Sequence, residues 1–210
     1  MLPAMSLVDR KVALAAVVGG LLLGSLDFVW IKFVPYPLAE LGNSTATWAI
    51  AAFFFGWWVR SGWLRAALGA AVLLVLAVPS YYLAATLIQG DDLAIVWGKT
   101  ALLWMLLGVL TGLVFGVGGV WARAEGWRAV VGLALPAAVL LEEATRFALR
   151  LRDPSYSSEL AWNVAIDVAL ALLLVALLGR THRQRALALA VSLPMAAVVL
   201  VAFAVFGAAV

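Results

Sequence analysis

Residues 186–206, ALALAVSLPMAAVVLVAFAVF, contain no charged side chain. A helix of that length crosses about 30 Å of hydrocarbon. Lipid offers no partner for backbone N–H and C=O groups, so the segment must bond internally. Similar apolar runs recur at about 12–33, 44–59, 64–87, 95–120, 127–149 and 160–178. Together they predict an all-α protein, a polytopic transmembrane helix bundle of seven spans. Hydrophobic residues make up 66% of the chain and charged residues 12%, against about 25% charged in an average soluble domain. The spans and short loops use all 210 residues, so one transmembrane domain, 1–210, is expected, with no separate soluble part.

Composition also excludes several chemistries. Cysteine is absent, which removes disulfides, thiolate metal sites and thiol catalysis. The one histidine, His182, falls in a loop between spans, so a histidine-rich metal site is excluded. No metal and no cofactor are expected. The +3 formal charge comes from basic residues in short loops, which points to membrane topology and away from nucleic acid. There is no Walker A sequence, dinucleotide fingerprint, His-Glu-x-x-His or Gly-x-Ser-x-Gly, so the familiar nucleotide and hydrolase routes are closed.

The basic residues set a direction. With the N-terminus inside, the inner segments hold Arg10, Lys11, Arg60, Arg65, Arg123, Arg128, Arg180, Arg183 and Arg185, nine of the 14 Lys and Arg. Glu40, Asp91 and Asp92 fall outside. This is the positive-inside pattern, with the C-terminus outside. Lys32, Lys99, Arg146, Arg150 and Arg152 are the outer exceptions. No small-residue cleavage site precedes Asp27, so the first run is read as a span and not a signal peptide.

Punctuation along the chain refines this outline. Gly20 and Gly24 in span one, and Gly108, Gly112 and Gly116 in span four, are small-residue rows that let helices approach closely. The span-four row is read as internal packing. Two prolines make the loop Val34–Asn43, VPYPLAELGN, stiff and non-helical. Pro79, Pro136 and Pro194 lie inside spans, where neighbouring groups must satisfy the freed backbone. Three inner turns, GWWVRSGWLRAALGAA, GVWARAEGWRAVVGLA and LLGRTHRQRALALAVS, look alike. Either a repeated hairpin or shared composition accounts for them.

The stretches LGNSTATWAIAAFFFGWWVRSGWLRAALGA, PSYYLAA and PAAVLLEEATR carry a resemblance that runs along most of the chain. It is to an uncharacterised actinobacterial family of small multi-pass integral membrane proteins. The resemblance implies a multi-pass fold and brings no established activity.

Chemistry concentrates in the segment AVLLEEATRFALRLRD, which ends at Asp153. Glu142 and Arg146 are four residues apart, and Glu143 and Arg146 three, so all meet on one side of a helix. A charge at the bilayer centre costs about 2.5–3.5 kcal/mol and usually faces a protein interior. At 1.5 Å rise per residue, Asp27 and Glu143 each lie roughly 9 Å below the outer ends of their spans. Lys99 is slightly shallower and Asp167 slightly deeper, with Asn163 one turn above it. Trp48, Tyr81 and Tyr82 sit near outer span ends; Trp104 and Trp162 lie near the same layer. The expectation is one polar pocket, open outward, formed by these residues. Asp27, Glu142, Glu143 and Asp167 outnumber Lys99 and Arg146. Either some acids hold a proton, or a bound cation completes the set, or Lys32 or Arg150 folds inward.

Three functions fit these residues. The first is binding or transport of a small solute, cationic or amine-bearing, with a membrane partner or a second copy assisting. The second is a membrane-embedded enzyme of isoprenoid-cyclase type acting on a lipid-like substrate, with Glu143 and Asp167 as catalytic acid and base and aromatic faces steadying a carbocation. The third is a ligand-free scaffold or immunity-type protein, in which Glu142, Glu143 and Arg146 form a structural ion pair.

Overall fold

A computed structural model describes residues 7–207. It contains seven α-helices: α1 Leu7–Phe33, α2 Thr45–Trp58, α3 Trp63–Gln89, α4 Lys99–Ala122, α5 Gly126–Arg150, α6 Leu160–Leu178 and α7 His182–Gly207. No strand occurs among the described residues. Five helices, α1, α3, α4, α6 and α7, are long and apolar enough to cross a membrane. The other two fall short for different reasons. Helix α2 has 14 residues and covers only about 21 Å. Helix α5 has 25 residues but carries Arg128, Glu142, Glu143, Arg146 and Arg150.

Several boundaries depart from the sequence reading; α1 already starts at Leu7, not at Val12. Helix α4 starts at Lys99, not at Ile95. Residues Leu93–Trp97 form a 3₁₀ turn capped by the Asp92 carboxylate, which accepts from Ala94 N–H at 2.9 Å. Extended Gly98 then breaks the path into α4. Histidine 182 is not in a loop: it opens α7, because the Thr181 hydroxyl accepts from Gln184 N–H at 3.1 Å and caps the helix before its apolar run begins. The loop Val34–Asn43 is not free of helix either; Leu38–Leu41 is a 3₁₀ turn, held by Trp30 Nε1 donating to Leu38 O at 2.7 Å.

The described residues fall into two compact units, 7–43 with 47–120, and 44–46 with 121–207. In the first, α1 lies along α3. A Cβ on Gly20 would strike the Leu73 carbonyl, and one on Gly24 the Ala77 carbonyl, so only glycine permits this approach. Ser80 answers from α3 by donating to Leu21 O at 2.6 Å. Arg65 pairs with Asp9 at 2.5 Å near the start of both helices. The α4 glycines serve internal packing. Gly108 faces Leu74, Gly112 faces Ala71 and Gly116 faces Ala66, all on α3, while Gly119 meets Phe53 and Trp57 of α2.

In the second unit α5 packs on both α6 and α7. Its buried face is mostly small, Ala129, Gly132, Ala134, Ala137, Ala138 and Ala144, which admits two neighbours at short range. Arg180 donates to Arg123 O at 2.9 Å and so ties the α6–α7 turn to the α4–α5 turn, while Arg185 of α7 donates to Gly179 O at 2.9 Å. In the α5–α6 loop, Ser155 N–H donates to Asp153 at 2.9 Å and holds that carboxyl below the usual range.

Candidate functional site

The second unit buries three carboxylates. Glu142, Glu143 and Asp167 are 1%, 4% and 3% exposed. Glu143 is seven residues from the end of α5 and Asp167 seven from the start of α6, each about 10 Å along its helix. The helix period brings both glutamates to Arg146. Its Nε donates to Glu142 Oε1 at 2.6 Å and its Nη2 to Glu143 Oε1 at 3.2 Å. The guanidinium also stacks over the Phe203 ring of α7, 4.7 Å from the centroid, a contact that attracts a cation to the ring face. The Ser44 hydroxyl donates to Glu143 Oε2.

Asp167 is the exception in this group. It lies within electrostatic reach of Glu143, Arg146 and Glu142, and buried Asn163 stands one turn before it on α6. Yet its Oδ2 is buried and accepts no hydrogen bond among the described residues. Leaving a buried acceptor unmet costs about 1–3 kcal/mol, more when it is charged. The group therefore offers three carboxylates against one guanidinium, and one oxygen without a donor. Such a set attracts a cation or a strong hydrogen-bond donor.

The first unit holds a different group. Asp27 of α1 is 7% exposed and its Oδ2 accepts from Trp48 Nε1 at 2.9 Å. The Tyr81 ring stands edge-on to Phe28 at 5.3 Å, to Trp48 at 6.4 Å and to Tyr82 at 5.5 Å. Tyr81 lies within electrostatic reach of the Asp27 carboxyl.

Of the residues singled out by sequence, Glu142, Glu143, Arg146, Asn163 and Asp167 thus belong to the second unit, and Asp27, Trp48, Tyr81 and Tyr82 to the first. Lys99, Trp104 and Trp162 are exposed. No ion pair, hydrogen bond or ring contact joins them to either group among the described residues. Lys99 is the first residue of α4 and not a buried base. Sequence reasoning missed Ser44 and Phe203. Ser44 directly precedes α2 and reads as a helix cap; Phe203 reads as one apolar residue in an apolar helix.

One protein-family profile, described as a family of unknown function (DUF6518), matches residues 6–208. Neither a curated protein nor a solved structure matches the chain.

Proposed function

The chain belongs to that family of unknown function, and we propose from its own geometry that it binds or transports a small cationic solute in the cytoplasmic membrane of a bacterium. The observation that carries this reading is the unmet Asp167 Oδ2 among three buried carboxylates and one arginine. A cation of amine type supplies both the missing charge and the missing donor. Ser44, Asn163 and Glu143 provide further polar atoms near the acids.

The reading includes seven spans, with the N-terminus inside and the C-terminus outside, in one transmembrane domain. Helix α5 supports it because Glu142 and Glu143 are buried, so these two charges do not face lipid. The turns α2–α3, α4–α5 and α6–α7 carry Arg60, Arg123 and Arg180, and Arg183 follows in the first turn of α7, which is the inner-loop signature. On this topology the acids lie nearer the outer surface, where solute is captured.

The test is a thermal-stability screen of the purified protein against primary amines, vitamins and isoprenoid diphosphates, repeated with Glu143→Gln and Asp167→Asn. We expect stabilisation by amines that is lost in both variants; an amine at 100 times its Kd adds about 2.7 kcal/mol. Stabilisation by isoprenoid diphosphates alone would transfer the site to lipid-like substrates. No response to any compound, with unchanged variants, would remove the binding reading.

A further inference from the structure

We propose that cation binding in the second unit is an exchange, in which the solute takes the place of a proton carried by Asp167. This rests on the solute reading above and adds what the site holds before the solute arrives. Glu142, Glu143 and Asp167 are all buried, and a buried carboxylate stays ionised only where donors or cations face it. The glutamates meet that condition. Arg146 bonds both, and the Ser44 hydroxyl donates to Glu143 as well. Asp167 does not meet it: its Oδ2 is buried and accepts from no donor among the described residues.

The elements packed around Asp167 bring it no cation of its own. It is the only ionisable residue of α6. Helix α5 presents Glu142, Glu143 and Arg146 to it, and that guanidinium is already divided between the two glutamates. On α7 the ionisable residues are His182, Arg183 and Arg185, all in its first turn, at the end of α6 farther from Asp167. A proton needs neither a cavity nor a set of ligands, and it removes the unmet charge where that charge arises. An ammonium group can take over this task. Its N–H donors meet Oδ2 and its charge replaces that of the proton, so the net charge of the buried group is the same before and after. Only the Asp167 O–H bond breaks, and the proton passes to water.

The experiment joins infrared spectroscopy to calorimetry on the full chain in lipid nanodiscs. Ethylammonium chloride is the probe, and sodium chloride at equal ionic strength is the control. The C=O stretch of a protonated carboxyl is separate from the bands of a carboxylate. Without the probe, at neutral pH, wild type should show a protonated-carboxyl component that Asp167→Asn lacks. Ethylammonium should abolish that component and sodium should not. Calorimetry in buffers of different ionisation enthalpy should count a proton released for each ethylammonium bound. Affinity should rise about 10-fold per pH unit over the range in which the unliganded protein keeps that proton. Asp167→Asn stands in for the protonated acid and should release none. Equal infrared spectra of wild type and Asp167→Asn overturn the proposal. Ethylammonium binding without proton release also overturns it, and leaves the solute reading standing. An Asp167 component with no ethylammonium binding overturns the exchange and the amine reading together.

Discussion

Two buried acids of α5 and one of α6 have opposite relations to the protein around them. Glu142 and Glu143 are bonded by Arg146, and Glu143 also by Ser44. Asp167 has an oxygen that no donor meets among the described residues. The two situations predict opposite responses to substitution. Arg146→Met leaves two buried carboxylates unpaired and should cost about 3 kcal/mol, the low end for a broken buried pair because Arg146 is partly exposed. Asp167→Asn removes a charge that the fold does not satisfy and should leave the unliganded protein as stable or more so. Thermal unfolding in detergent checks both. An Asp167→Asn loss as large as that of Arg146→Met would mean that Asp167 serves the fold. The spacing of Glu142, Glu143 and Arg146 made their pairing legible from sequence, since the helix period fixes which residues meet. Ser44 was not legible: it is 99 residues from Glu143, and only the fold brings the hydroxyl there.

At the scale of elements, close approach between α3 and α4 rests on glycine. A Cβ at Gly112 would lie 2.5 Å from the Ala71 backbone nitrogen, and a backbone atom cannot swing aside. At Gly19 the neighbour is the flexible Leu73 Cδ1 at 3.2 Å. Gly112→Ala should therefore destabilise by about 1–3 kcal/mol, whereas Gly19→Ala should be neutral or gain from better helix propensity. Unfolding midpoints of the two variants give the comparison, and equal midpoints would contradict the packing account. Helix positions were readable because apolar runs leave little choice of structure in lipid. Helix starts were less so. Ile95-Val96-Trp97 is as apolar as the helix that follows, and only the Asp92 cap and extended Gly98 separate them. Thr181 began α7 inside a charged stretch that hydropathy alone assigns to a loop.

At the scale of the molecule, the described residues are all-helical, with five helices fit to cross a membrane, to which the proposed function adds a topology and a direction of entry. The sequence reading drew Asp27, Lys99, Glu143 and Asp167 into one layer by counting depth along each span. Depth is legible from sequence because rise per residue is fixed; direction around the helix axis depends on which neighbours pack there. That is why Lys99 could be placed near the right height and still lie exposed at a helix start. Charge selectivity and side of access can be read together in this chain because it has no native cysteine. Asn163→Cys places a thiol one turn from Asp167, and its reaction with membrane-impermeant thiosulfonate reagents can be timed in intact cells. An outward, carboxylate-lined site predicts that a trimethylammonium-bearing reagent modifies it at least ~10-fold faster than a sulfonate-bearing one. Modification only after the membrane is opened, or equal rates with both reagents, would contradict the account.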